Sequence, residues 1–158
     1  MKIAFIGGGN MGEAMLAAIL EKGLSTPKDI LVSDIVEARR KHLKQKYGVI
    51  VVSGNLGALT GSDVIALAIK PQNLAGVMAE LGGQFKPTQL VLSIIAGARI
   101  DTLRRGLKHG CIVRAMPNTP AQIGEGMSVW TATAEVTEPQ KEWASSILGA
   151  MGREFYGN

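Results

Sequence analysis

The sequence has a single cysteine, Cys111, among 158 residues, so no internal disulfide can form. A lone thiol without a recognisable targeting signal makes a cytoplasmic location the expectation. Lys2 followed by apolar residues resembles the start of a signal peptide. Gly7, Gly8, Gly9, Asn10 and Glu13 break that stretch before it could serve as one. Long apolar runs are also missing. The longest, Leu90 to Ala98, contains Ser93 and Gly97 and falls well short of the roughly eighteen residues a membrane helix needs. It reads as a buried strand, and no membrane partner is expected. Aromatic residues make up only 4% of the chain. The basic cluster Arg39, Arg40, Lys41, Lys44 and Lys46 has few aromatic neighbours and matches no nucleic-acid motif. It reads as the solvated face of a helix, with no nucleic-acid partner. Neither metal-ligand clusters nor a catalytic-triad pattern is present. His42 and His109 lie in helix-surface and helix-end contexts and are read as non-catalytic. Cys111 is read as core.

What remains is an ordinary globular composition, 46% apolar and 19% charged, with a net charge of +4. The length suits one domain with a proper core, residues 1–158. Short apolar runs alternate with amphipathic ones. Strands are expected at Lys2–Gly7, Ile30–Asp34, Val49–Val52, Asp63–Ile69, Leu90–Ile95, Cys111–Met116, Met127–Thr131 and Arg153–Tyr156. Met11, Met15, Ala18 and Ile19 recur at helical spacing, with Gly23 as a stop. Further helices are expected over Glu37–Lys46 (ended by Gly48), Pro71–Leu81 (closed by Gly82 and Gly83), Ile100–Leu107 and Pro139–Met151. Thr137 is a candidate cap for the last, and Asn55–Thr60 a short helical turn. The strands are continuous apolar runs, as expected when both faces are covered. Together these features predict a doubly wound Rossmann-type α/β sheet, mostly parallel, with helices on both faces.

Gly7, Gly9 and Gly12 form a Gly-x-Gly-x-x-Gly pattern. Among 20 glycines this is weak alone. Its place after the first strand and at the start of the first helix matches the dinucleotide fingerprint. Gly7 permits the tight turn, Gly9 lets backbone approach a pyrophosphate, and Gly12 allows helix and strand to pack closely. Amides at the helix start, with the helix dipole, attract the phosphates. The fingerprint also expects an acid roughly 20 residues on, at the end of the second strand. Asp34 is there. Its carboxylate can accept from ribose hydroxyls and would repel a 2′-phosphate, which taken alone favours NADH. Ser33 could donate to such a phosphate, and Arg39 or Arg40 could reach one, although ordinary helix surface is the favoured reading of the two arginines. A turn or capping role is the alternative for Asp34.

At Ile6-Gly7-Gly8-Gly9-Asn10-Met11-Gly12 the sequence resembles the opening of the pyrroline-5-carboxylate reductase family. Three further segments narrow the resemblance: Leu67-Ala68-Ile69-Lys70-Pro71-Gln72, Ser93-Ile94-Ile95-Ala96-Gly97, and Arg114 to Pro120 followed by Gly124 to Met127. All fall at predicted carboxyl ends of strands, where open α/β sheets bind ligands. The resemblance covers essentially the whole chain. It implies an NADPH or NADH site formed by Ile6, Gly7, Gly9, Asn10, Met11, Gly12, Ser33, Asp34, Asn55, Ala68, Lys70, Pro71, Ala96 and Asn118, with no metal. Asn55 matches the position on the adenosine side, although a helix cap would look the same. Lys70 could instead be a surface lysine, and Asn118, between Pro117 and Pro120, could be a plain turn residue. The implied reaction is hydride transfer to the imine carbon of 1-pyrroline-5-carboxylate, giving L-proline.

Two departures qualify the resemblance. Family members continue into a helical carboxyl-terminal domain that forms a homo-oligomer and completes the substrate pocket. Nothing in these residues matches it, so the expectation is a cofactor domain that reduces little or no substrate alone. Many members prefer NADPH and lack an acid at the position of Asp34. The alternatives are another reductase of the same superfamily, cofactor-reducing or acting on β-hydroxyacids, or a non-catalytic dinucleotide sensor.

Overall fold

A computed structural model describes residues 1–117 and 126–157. In chain order its elements are β1 (Ile3–Ile6), α1 (Asn10–Glu21), β2 (Ile30–Ser33), α2 (Glu37–Tyr47), β3 (Ile50–Val52), α3 (Asn55–Leu59), β4 (Val64–Leu67), α4 (Leu74–Leu81), β5 (Leu90–Ser93), α5 (Ile100–Leu107), β6 (Ile112–Pro117), β7 (Gly126–Ala132), α6 (Glu138–Ala150) and β8 (Gly152–Tyr156). The strands form one sheet in the order β3-β2-β1-β4-β5-β6-β7-β8. The first six are mutually parallel. β7 runs antiparallel to β6, and β8 runs parallel to β7. The expected doubly wound, mostly parallel sheet is therefore present. The strand order reverses between β1 and β4, which opens a crevice beyond their carboxyl ends.

The continuous apolar strands are explained by two cores. Ile3 and Phe5 of β1 face one layer, with Met15, Ile19, Leu43 and Ile147. Ala4 and Ile6 face the other, with Leu59, Leu81, Leu103 and Leu107. Helices α1, α2 and α6 cover the first face; α3, α4 and α5 cover the second. Each fully buried Leu, Ile or Phe contributes roughly 1.5–3 kcal/mol of transfer free energy. α2 buries Leu43 alone; Lys41, Lys44 and Lys46 lie on its solvated side, as the sequence predicts, whereas Arg39 and Arg40 are half-buried.

Helix ends follow local chemistry. Gly23, at φ +69°, closes α1, where Leu24 N–H donates to the Ile19 carbonyl and Gly23 N–H to that of Leu20. Thr137 caps α6 through a reciprocal box with Gln140. The helix expected over Pro71–Leu81 is divided. Pro71–Asn73 is a 3-10 turn closed by Asn73 N–H on the Lys70 carbonyl, and α4 begins only at Leu74. β4 ends at Leu67 because Ala68 and Ile69 turn against Gly7. A 3-10 turn at Pro27–Asp29 was not foreseen. His109 is buried, with Nε2 2.6 Å from the Gln89 carbonyl and its ring stacked on Phe85. Cys111 is buried too; burial pushes its thiol pKa up, and the thiol donates to Gln140 Oε1. Cys111 is core, as read from the sequence; His109, read as a helix-end residue, is buried and structural instead. Among the described residues no helix is long and apolar enough to cross a membrane.

Candidate functional site

The carboxyl ends of β1, β2 and β4 meet at a cleft of ≈ 380 Å³. It brings together seven residues picked out in the sequence: Gly7, Gly9, Ser33, Asp34, Asn55, Ala68 and Lys70. Ile35, Val36, Arg39, Ile69, Asn73 and Val77 complete its lining.

The glycine loop is shaped by contacts on three sides. Gly7 sits at φ +101°, and a Cβ there would lie 2.7 Å from the Ala68 carbonyl oxygen, so both conformation and space demand glycine. Gly12 packs against the Gly7 carbonyl, where a Cβ would approach to 2.7 Å. Gly9 is the contrast, because nothing lies within 4 Å of the place a Cβ would occupy. It is the N-cap of α1 and offers no side-chain cap. The first-turn N–H groups of Asn10, Met11 and Gly12 have no intrahelical acceptor by the geometry of any helix start. An open glycine beside uncapped amides is a cradle for an anionic diphosphate, and these residues fit a dinucleotide cofactor.

Gly8, passed over in the sequence, is equally constrained. A Cβ on it would fall 2.8 Å from Leu43 Cδ1 and 3.0 Å from Val32 Cγ1. Its N–H donates to Asp34 Oδ2 at 2.9 Å, while Val36 N–H donates to Asp34 Oδ1 at 2.8 Å. The Asp34 carboxylate thus ties the loop to the start of α2, and each oxygen keeps a second lone pair for a ligand hydroxyl. The turn role is thus present, and it leaves acceptor capacity on both oxygens.

Arg39 is more than helix surface. It lines the cleft, and its Nε donates to the Gly8 carbonyl at 2.8 Å and its Nη2 to Glu13 Oε1 at 2.7 Å. Arg40 donates to the Asp34 carbonyl at 2.8 Å. Glu13, on the first turn of α1, also accepts from Tyr47 Oη at 2.7 Å and pairs with His42 at 3.1 Å and with Lys46 at 3.6 Å. Burial alone would raise its pKa. Hydrogen bonds from Tyr47, His42 and Arg39 outweigh that and bring it to about 2. The Tyr47 hydroxyl is correspondingly pushed up to about 12, by burial first and then by its bond to Glu13.

Two expectations at the β2 end need correction. The Ser33 hydroxyl is not available to a phosphate, because it is buried and donates to Asn55 Oδ1 at 2.6 Å. Asn55 is not a helix cap. Gly54 holds that position, and the Asn55 Nδ2 donates to Glu80 Oε1 at 2.9 Å. Other predicted residues lie off the cleft. Ile6 is wholly buried in the core. Met11 packs against the α1 side of the core, and Asn10 is exposed on the first helical turn. Pro71 is exposed at the start of its 3-10 turn, and Ala96 is exposed just past β5. Asn118, with Thr119, Pro120 and Gly124, lies outside the described residues.

Comparison with known proteins agrees with this geometry. Residues 2–97 match the model of the family described as NADP oxidoreductase, coenzyme F420-dependent. A pyrroline-5-carboxylate reductase from Synechocystis is 40% identical over 153 residues, covering 96% of this chain and 57% of that protein. The structure of a pyrroline-5-carboxylate reductase from Coxiella burnetii superposes with a TM-score of 0.88 at 30% identity, covering 99% of this chain and 58% of the other. A pyrroline carboxylate reductase from Plasmodium falciparum, solved with NADP bound, has a TM-score of 0.85 at 22% identity, covering 100% and 58%. The chain thus spans a little over half the length of the relatives it matches.

Proposed function

This chain belongs to the family of NADP oxidoreductases described as coenzyme F420-dependent, as an amino-terminal NAD(P)-binding domain of the pyrroline-5-carboxylate reductase kind, and on that premise we propose that residues 1–158 form the cofactor domain of an enzyme that reduces the imine of 1-pyrroline-5-carboxylate to L-proline. The observation that carries the proposal is the cleft at the strand-order reversal, with its glycine loop open at Gly9. When bound there, a reduced nicotinamide dinucleotide supplies the hydride. The residues of the chain bind and orient. The amides of Gly9, Asn10, Met11 and Gly12 hold the diphosphate, with Ile6 and Gly7 fixing the turn from below. Asp34 accepts from the adenosine ribose, Asn55 and Ser33 set the adenosine wall, and Ala68 and Lys70 border the nicotinamide half, with Pro71 and Ala96 beyond the cleft. The substrate is a small imine and the location cytoplasmic. A helical domain of the kind the resemblance implies would supply homo-oligomer contacts and the rest of the substrate pocket.

The test has two arms. Fluorescence titration with NADH and NADPH should show binding by the 158-residue chain. Substituting Gly9→Val should abolish it, since a branched side chain would project into the space the diphosphate needs. Fusing the chain to the carboxyl-terminal part of the Synechocystis relative should then give cofactor-dependent proline formation. Cofactor binding without any proline from a folded fusion would remove the substrate assignment while leaving the dinucleotide site.

A further inference from the structure

The end of β2 is where dinucleotides with and without a 2′-phosphate differ. Four features of that wall bear on the choice. Asp34 places a half-buried carboxylate in the cleft. Ser33, the nearest hydroxyl, has committed its proton to Asn55. Ile35 is 85% exposed and Val36 49%, so the turn offers apolar side chains where a phosphate would need donors. Arg39 is the only basic residue lining this side of the cleft among the described residues. It is already held by the Gly8 carbonyl and the Glu13 carboxylate.

We propose that this chain selects the dinucleotide lacking a 2′-phosphate, and that Glu13, outside the glycine fingerprint, enforces the choice by neutralising Arg39. The inference rests on reading the cleft as a dinucleotide site. The guanidinium is in a 2.7 Å pair with a shielded carboxylate through Nη2 and is braced on a main-chain carbonyl through Nε. Its charge is already compensated, and it cannot swing toward a phosphate without breaking both bonds, so only Nη1 is left to donate. Glu13 is fixed in turn by Tyr47 from α2, so the pair is built into the α1–α2 contact. Lys46 and His42 also approach Glu13, but neither lines the cleft. Arg40 is pinned to the Asp34 carbonyl and does not line it either. With Arg39 neutralised, the Asp34 charge is left to face the ribose, attractive to hydroxyls and repulsive to a phosphate.

The experiment is a titration of the wild-type chain, Glu13→Gln, Arg39→Gln and the double variant with NADH and NADPH at constant ionic strength, followed by nicotinamide fluorescence. Wild type should bind NADH at least about 10-fold more tightly than NADPH, the size of one like-charge juxtaposition in a partly screened site. Glu13→Gln releases the guanidinium and should narrow that ratio by roughly 3- to 10-fold, mainly through tighter NADPH binding. Arg39→Gln should weaken both ligands alike and leave the ratio unchanged, and the double variant should restore the wild-type ratio. A purely bracing Glu13 would lower both affinities equally in Glu13→Gln, and that result overturns the proposal. So does a wild type that prefers NADPH, or an Arg39→Gln that loses NADPH selectively. If wild type binds neither nucleotide, the cleft assignment itself fails and this inference goes with it.

Discussion

On the β2 side of the cleft the polar groups are tied to one another, whereas at the end of β4, and beyond the cleft at the ends of β5 and β6, few are. Asp34, Arg39, Arg40, Ser33 and Asn55 all make hydrogen bonds that link the glycine loop, β2, α2, α3 and α4. Across the cleft Lys70 is exposed, and Ala96 and Gly97 are exposed beyond β5. Arg114 of β6 has a buried Nε without a hydrogen-bond partner among the described residues. One wall is thus braced by its own hydrogen bonds before any ligand arrives, and the other still has polar groups to commit. A preorganised wall loses little entropy on binding and can discriminate. The looser wall leaves donors free for whatever lies opposite the adenosine side.

Of the changes that test this contrast, the largest effect should come from Gly7, which packs against the end of β4. Gly7→Ala places a side chain at positive φ, a strain of about 1–3 kcal/mol, and drives it into the Ala68 carbonyl of the opposite wall. Dinucleotide affinity should fall on the order of 100-fold, equivalent to about 3 kcal/mol. Gly23→Ala is the control: its φ is +69° but the surrounding space is open. It should cost roughly 1 kcal/mol of stability and leave affinity intact. Equal affinity in Gly7→Ala and wild type would mean that the loop is not the platform on which both walls meet.

Much of the first wall was legible in the sequence, and the reason is local. Gly7, Gly9 and Gly12 answer to backbone geometry within one turn, so their spacing is enough to find them. Gly8 answers to Leu43, Val32 and Asp34, which only the tertiary fold brings near. Arg39 reads as helix surface because its acceptors, Gly8 and Glu13, lie 31 and 26 residues away. Asn55 is locally indistinguishable from a cap; its partners Ser33 and Glu80 are 22 and 25 residues distant. The centre of the sheet, by contrast, is readable directly, since β1, β4 and β5 are buried at every position and apolar but for Ser93.

A smaller effect should appear with acid. Glu13 has a folded pKa of about 2 against an ordinary value of 4.5. A depressed carboxyl pKa contributes stability that is complete above the unfolded value and is lost as pH falls through the folded one. Its side chain is 17% exposed, and allowing for solvent screening the contribution is about 1–2 kcal/mol. Urea midpoints of wild type and Glu13→Gln should therefore differ at neutral pH and converge between pH 4.5 and 2. A gap that persists unchanged into acid would show that charge does not hold the first wall together.

Stability and site rigidity can be separated by a change remote from both walls. Thr137→Ala removes the hydroxyl that accepts from Gln140 N–H at the start of α6. The loss should be roughly 1 kcal/mol by thermal or urea unfolding. Nucleotide affinity should not move, because α6 contributes no residue to the cleft. A parallel fall in affinity would mean that binding follows global stability, and the contrast between the walls would lose its meaning.

Lys70 is the sharpest probe of the second wall, and its effect should be the smallest. It lines the cleft at the N-cap of the Pro71–Asn73 turn, yet its ammonium makes no ion pair or hydrogen bond among the described residues. An exposed, unanchored lysine attracts a diphosphate through solvent and contributes about 0.3–1 kcal/mol. Lys70→Ala should thus leave stability within about 0.5 kcal/mol of wild type. It should weaken nucleotide binding roughly 2- to 5-fold at low salt, and the difference should shrink as the Debye length falls to about 8 Å near 0.15 M. A salt-insensitive loss as large as that in Gly7→Ala would require a lysine fixed in place before binding. The second wall would then be as preorganised as the first, and discrimination could no longer be assigned to the β2 side alone.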